Sequence, residues 1–295
     1  MEKALFGPAG SPQAFSLKYR TTLKMPGYLK EMGLDCFEYQ CGRGVNIGKE
    51  ACIALGKQAE KCGIRLSLHS PYFINLSSDE PQRMEKNVGY ILESAQACFF
   101  MGGDRVVVHC GGLSGRSREE AFKNTLLNID LALEALDRNG LSGITLCVET
   151  MGKINVLGDL EEVLELCRLR ERLLPCVDFG HLNCRTFGGM NSEEDFARAL
   201  DMAEDIVGSE RAKSMHIHFS KIEYSKGGEV KHLTFEDSLY GPDFSPLGRL
   251  MAKRGYAPRV ICESAGTQDT DALEMKDIYF KYLNEEEKIW ADLKR

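Results

Sequence analysis

Eight times along this chain of 295 residues, a short apolar run is followed by a longer, charged and amphipathic one. The short runs are Ala4–Gly7, Cys36–Tyr39, Ile64–Leu68, Arg105–Val108, Ile144–Val148, Leu174–Val177, Met215–His218 and Arg259–Cys262. Each has the length and composition of a buried strand. The intervening segments read as helices. Between Arg118 and Asn139, Leu126, Ile129, Leu133 and Leu136 recur at helical spacing, and Asn139-Gly140 ends the run. Ser192-Glu-Glu-Asp195 reads as a helix start. Eight strand–helix beats predict a (β/α)8 barrel, one domain over 1–295. A doubly wound sheet fits less well, because polar residues follow nearly every strand, as they would around a ring.

Composition narrows the classes. No early stretch reads as a signal peptide, and no uncharged run approaches the length of a membrane span. The 11 cysteines include no C-x-x-C pair, so a cysteine-based zinc site is unsupported and reduced core thiols are expected. The expectation is a cytoplasmic monomer without membrane contact. A net charge of −7 argues against broad coating of nucleic acid, though not against a local basic rim. The tail EMKDIYFKYLNEEEKIWADLKR reads as an amphipathic helix packed on the barrel.

The ends of the strands carry the metal-binding alphabet. His69 follows the third strand in LSLHSPYFINL, His109 the fourth in RVVVHCGG, and Glu149 the fifth in LCVETMG. Asp178 and His181 follow the sixth in CVDFGHLNCR, His216 lies in the seventh in SMHIHFSK, and Glu263 follows the eighth in VICESAG. A barrel brings these ends to one mouth. Several carboxylates there would repel one another unless cations were present. The mixed N/O set suits Zn2+, with Mn2+ or Fe2+ as alternatives. His216 and His218 are two residues apart on one strand, so both side chains point to the same face.

These residues resemble endonuclease IV, the zinc-dependent apurinic/apyrimidinic endonucleases built on (β/α)8 barrels. The pieces that carry the likeness are HSPYFINLSS, VVHCGG, VETMG, VDFGHLNCR, HIHFSK and ICES. The resemblance implies two or three zinc ions and hydrolysis of the phosphodiester 5′ to abasic sites in DNA, a repair activity. It makes His69 and His109 ligands of a first ion and Glu149 the bridge to a second. Asp178, His216 and Glu263 complete that second site, and Glu149 and Glu263 are the catalytic carboxylates. His181 and His232 match ligands of a third ion. Tyr72 and Phe73 match a loop that wedges into the duplex; their other reading is simple loop packing. Arg43 is a candidate phosphate contact.

The chain departs from the family at three places, one of them the stretch HLTFEDSLYGPDFSPLG, which lacks the family's glycine-rich pattern. The family's aspartate for the third ion corresponds to Val230, with Glu229 one residue off. His218 stands where the family has asparagine, so it is expected as a phosphate contact or as part of the third site. Lys221, Lys231 or Arg185 could cover the charge that a missing third ion would leave. A different enzyme class on the same barrel also fits: a single-metal sugar isomerase or epimerase using Glu149, Asp178, His216 and Glu263. Such an enzyme does not need His69, His109 and His181 as ligands. A third reading is a metal-containing barrel that binds DNA without cleaving it.

Overall fold

The computed structural model describes residues 2–293. Eight parallel strands form the ring: β1 (Leu5–Pro8), β2 (Cys36–Gln40), β3 (Arg65–His69), β4 (Arg105–His109), β5 (Thr145–Glu149), β6 (Leu173–Asp178), β7 (His216–Phe219) and β10 (Arg259–Cys262). An antiparallel hairpin, β8 (Ile222–Ser225) with β9 (Gly228–His232), is inserted after β7. Strand order is β1-β10-β7-β6-β5-β4-β3-β2. The seam between β1 and β2 is nearly closed, with Asp35 N–H donating to Phe6 O at 2.8 Å and Gly10 N–H to Glu38 O at 2.9 Å. Gly7 makes that approach possible: a Cβ there would stand 1.7 Å from Cys36 O. The architecture is the predicted (β/α)8 barrel.

Each expected apolar run coincides with a ring strand to within a residue or two. The helix expected from Arg118 spans Arg118–Arg138, started by a reciprocal Ser117–Glu120 cap; Ser192 and Asp195 form the same device. The tail forms the helix Gln268–Leu293, which buries Ala272, Met275, Tyr279 and Leu283 against the barrel. Lys294 and Arg295 lie outside the described residues. No described helix is long and apolar enough to cross a membrane. All cysteines are unpaired and all but Cys62 are buried.

Alternation along the strands separates two kinds of interior. Outward-facing residues such as Val106, Val108, Leu146, Val148, Ile217 and Val260 join one large core under the helices. The apolar residues inside the ring make only small patches, Val107 with Cys147, Leu174 and Cys176, and Ala9 with Cys36 and Ile261. Barrel interiors are usually layered with branched aliphatics. Here Glu38, Ser67, His216 and His218 lie fully buried on strands β2, β3 and β7, on the ring's inner face. The N-terminal end is closed by charge: Arg259 donates twice to Asp104, at 2.9 and 3.1 Å, and Arg105 donates to Ser214 O and Met215 O.

Candidate metal centre

Glu149 is the hub of the C-terminal mouth. Its Oε2 lies 2.9 Å from His109 Nε2 and 3.1 Å from His69 Nε2. Its Oε1 lies 3.0 Å from His218 Nδ1 and 3.5 Å from His181 Nδ1. Four groups offer ligand atoms within 4.8 Å of one another: His69 with His109 and Glu149; Glu149 with Asp178, His218 and Glu263; His181 with Glu229 and His232; and, deeper in the ring, Cys176 with His216 and His218. The chemistry of these sets fits divalent cations. Four carboxylates crowd one mouth, and Asp178 Oδ2 is buried there with no hydrogen-bond partner. The clustered imidazoles and carboxylates mark a metal-dependent active site.

One expectation is corrected by this geometry: His216 does not join the second group, and His218 does. Both rings point inward, as parity requires. Going round the ring, Glu149 pairs with Cys176 and Cys176 with His216, whereas Asp178, one step of two residues higher, pairs with His218. Strands in a closed barrel are tilted and staggered, so a residue at the mouth on β5 is level with one two positions further on in β6 and β7. His216 therefore sits a layer deeper, with Nε2 2.9 Å from Glu38 Oε2 and Nδ1 without a partner. Desolvation drives the His216 pKa down to about 4, against the pull of Glu38, so this ring is neutral.

The third group is rebuilt by a bulge. Glu229 and His232 differ by three positions, so a regular strand would aim them at opposite faces. The hairpin pairs Ile222 with His232 and Glu223 with Lys231, but then Tyr224 with Glu229. Val230 is the extra residue, and it faces out at 51% exposure. The bulge restores Glu229 to the face of His232. Glu229 Oε2 comes within 3.6 Å of His181 Nε2. Gly152 leaves room for this: a Cβ there would lie 2.8 Å from Glu229 Cβ and 2.9 Å from His181 Cδ2.

Outer partners fix the rings. His69 Nδ1 donates to Ser70 O at 2.7 Å, and His181 Nδ1 to Thr150 O at 2.9 Å, leaving each Nε2 for the site. Ser220 Oγ meets His232 Nδ1 at 2.8 Å, and Gln40 donates to Glu263 Oε1 at 3.2 Å. Asp178 also caps the helix Phe179–Arg185, accepting His181 N–H at 2.8 Å. The charges are tightly coupled. Desolvation lowers the His69 and His181 pKa values, but the carboxylates win and raise both to about 9, through Glu149 for His69 and chiefly through Asp178 for His181. Glu149 is held well below the usual carboxylate range: the charges of His218 and His109 overcome its burial. Asp178 is raised, by burial first and then by repulsion from Glu263 and Glu149.

Some expected residues lie elsewhere. Lys221 donates to Asp237 O at 2.7 Å and pairs with Asp243 at 3.1 Å, Lys231 pairs with Glu223, and Arg185 ties the carbonyls of Met151, Lys153 and Val156. These cations have structural partners and are not brought to the metal groups. Arg43 is exposed on the loop after β2. Tyr72 and Phe73 stand on the rim at 58% and 42% exposure; the Phe73 ring also packs edge-on to Tyr90. A cavity of about 510 Å3 opens between them and His69, His109, Glu149 and Glu263. A larger hollow of about 1040 Å3 lies at the opposite end of the barrel, where Arg259 and Asp104 already neutralise each other. Sequence reading missed Glu38. Its signal was a lone carboxylate between Phe37 and Tyr39 in the otherwise apolar run Cys36–Tyr39.

A family model described as "Xylose isomerase-like TIM barrel" matches residues 27–288. The chain belongs to that family of metal-binding barrel enzymes. Within it, the chain is a divergent endonuclease IV-like branch. It is 31% identical to an uncharacterized protein of Methanocaldococcus jannaschii, over 92% of this chain and 96% of that one. It is 29% identical to a probable endonuclease 4 of Oceanobacillus iheyensis, over 53% of this chain and only 52% of that relative. Among solved structures, a D-tagatose 3-epimerase-like protein superposes with a TM-score of 0.72 at 22% identity, covering 96% and 99% of the two chains. Endonuclease IV from Thermus thermophilus superposes with a TM-score of 0.63 at 19% identity, covering 95% and 99%. At such identities the structural likeness concerns the fold.

Proposed function

We propose that this protein is a multinuclear, metal-dependent phosphodiester hydrolase that cuts DNA 5′ to abasic sites. The observation that carries the reading is the shared carboxylate of Glu149, whose two oxygens serve two different groups. Divalent cations there, Zn2+ by the donor set, would polarise a phosphate and acidify a water. His69, His109, Asp178 and His218 would hold them from rigid strands; His181, Glu229 and His232 would add a third from the loops. Glu263 lines the cavity, and Gln40 holds its Oε1, leaving Oε2 to accept a proton from the attacking water. The rim favours a polymer. Leu17, Tyr72, Phe73, Ile154, Phe187, Val230 and Leu239 are all exposed, and all lie on segments leaving the C-terminal ends of ring strands. Apolar side chains at such a rim can wedge between base steps.

A second reading has its own support. Glu149, Asp178, His218 and Glu263 form a complete ligand set for one ion, with two glutamates placed to shuttle a proton beside a sugar carbonyl. The overall shape leans this way, since the epimerase-like barrel superposes better than the nuclease. The two readings differ in how much of the mouth they use. A single-ion epimerase leaves His69, His109, His181, Glu229 and His232 without work.

One experiment separates them. Bound ions are counted, and the loaded protein is offered an abasic duplex and a panel of ketoses. Two or three ions with incision are expected. One ion with ketose epimerisation would replace the hydrolase by the epimerase, and abasic-DNA binding without incision would leave a non-catalytic barrel.

A further inference from the structure

The five imidazoles around the mouth are not supported alike. His69, His181 and His232 turn their outer nitrogens to neutral partners: two carbonyls and a hydroxyl. His218 instead has a carboxylate behind it. Its Nδ1 faces the mouth, 3.0 Å from Glu149 Oε1 and 3.5 Å from Glu263 Oε2, while Nε2 lies 3.0 Å from Glu38 Oε1, and these last two atoms are buried, close enough to pair, and have no hydrogen-bond partner elsewhere. Glu38 is itself held in place. Its Oε2 accepts Ser67 Oγ–H at 3.0 Å and His216 Nε2–H at 2.9 Å. Glu38, Ser67, His216 and His218 are all buried in the barrel interior.

A carboxylate at that depth is costly unless it is paired. His216 Nε2 reaches the Oε2 side of Glu38 and leaves Oε1 to another partner. The remaining partner of Glu38 is the far side of a ring whose near side belongs to the metal groups. We infer that Glu38 is a positioning residue of the metal centre: its carboxylate, facing His218 Nε2, favours the tautomer with the proton on that nitrogen, and so aims the Nδ1 lone pair at the site shared by Glu149, Asp178 and Glu263. His216 and Ser67 hold Glu38 in turn, which gives the deep histidine a role although it lies outside the groups that Glu149 joins. The chain of contact runs Glu149, His218, Glu38, His216, from the mouth into the core. Partners of this kind raise the basicity of a ligating imidazole as well as orient it.

This inference rests on the metal-binding reading, and its test keeps the two apart. Metal-stripped parent protein is titrated with Zn2+ against a chelator, beside Glu38→Gln and Ser67→Ala. Glu38→Gln keeps size and an acceptor oxygen but removes the charge. Its expected effect is a loss of about 10–100-fold in affinity for one ion, the usual cost of losing such a partner. The metal-free melting temperature should stay close to that of the parent. Ser67→Ala loosens Glu38 without touching it and should cost the same ion a few-fold; it carries the test if Glu38→Gln does not fold. Long-range nitrogen–proton NMR of the loaded parent reads the His218 tautomer directly, and a proton on Nε2 is expected. Undiminished affinity in Glu38→Gln, or a proton on Nδ1, overturns the inference while leaving the metal reading intact. A parent that takes up no Zn2+ overturns both.

Discussion

The strand-borne part of the mouth and its loop-borne part hold similar ligands by different means. His69, His109, Glu149 and His218 lie within ring strands, and the register of the sheet sets their level. His181, Glu229 and His232 come from a seven-residue helix and an inserted hairpin, held together by a bulge and by the close approach that Gly152 permits. The first arrangement is fixed once the barrel closes. The second depends on one extra residue and one missing Cβ. A site on a closed ring tolerates sequence drift in its loops, whereas the third group can be lost or re-formed by small changes.

That difference can be tested by perturbing each part in turn. The largest effect is expected at the hub. Glu149→Gln should reduce activity to background and lower the number of bound ions, because it serves two groups; full metal content with full activity would remove its bridging role. Next comes the hairpin. Glu229→Ala should cost on the order of 100-fold in turnover, as when one electrostatic stabiliser leaves a preorganised site. It should remove one ion and spare the others. Gly152→Ala should imitate it by pushing the hairpin away, and Val230→Ala should change neither metal content nor rate. Equal ion loss in all three would mean that the bulge does not separate inward from outward residues.

Both parts should respond to pH when metal-free. His69 and His181 have folded pKa values of about 9, raised above the ordinary histidine value of 6.5. Their contribution to stability is therefore fully present below about pH 6.5 and lost as pH rises through about 9. The same protons compete with cations, so Zn2+ affinity should climb across this window. Melting curves and titrations between about pH 6 and 9 would check both, and a metal-free protein whose stability is flat there contradicts the coupling. The smallest effect belongs to the rim. Tyr72→Ala should weaken abasic-DNA binding by roughly 1 kcal/mol, about fivefold, with metal content unchanged. Unaltered affinity would return Tyr72 to loop packing.

Much of this architecture is legible in the amino-acid sequence. Local period and local composition locate strands and helices, so eight beats imply a ring, and a ring implies that strand-end residues meet. His69, His109, Glu149, Asp178, Glu263 and His181 follow from that logic. Side-chain direction is legible too, because alternation is a property of each strand alone. Alternation puts His216 and His218 on one face but says nothing about height. Height depends on stagger accumulated from strand to strand around the closed sheet, which no single segment encodes. The same limit hid Glu38, recognisable as a support only once β2 stands opposite β7 inside the ring. It also hid the bulge at Val230, since pairing between β8 and β9 decides which residue is extra. The chain's own sequence determined its fold and its ligand alphabet. Tertiary closure decided which histidine faces the mouth, which carboxylate stands behind it, and how Glu229 reaches His181, because register is a relation between strands and not a property of one.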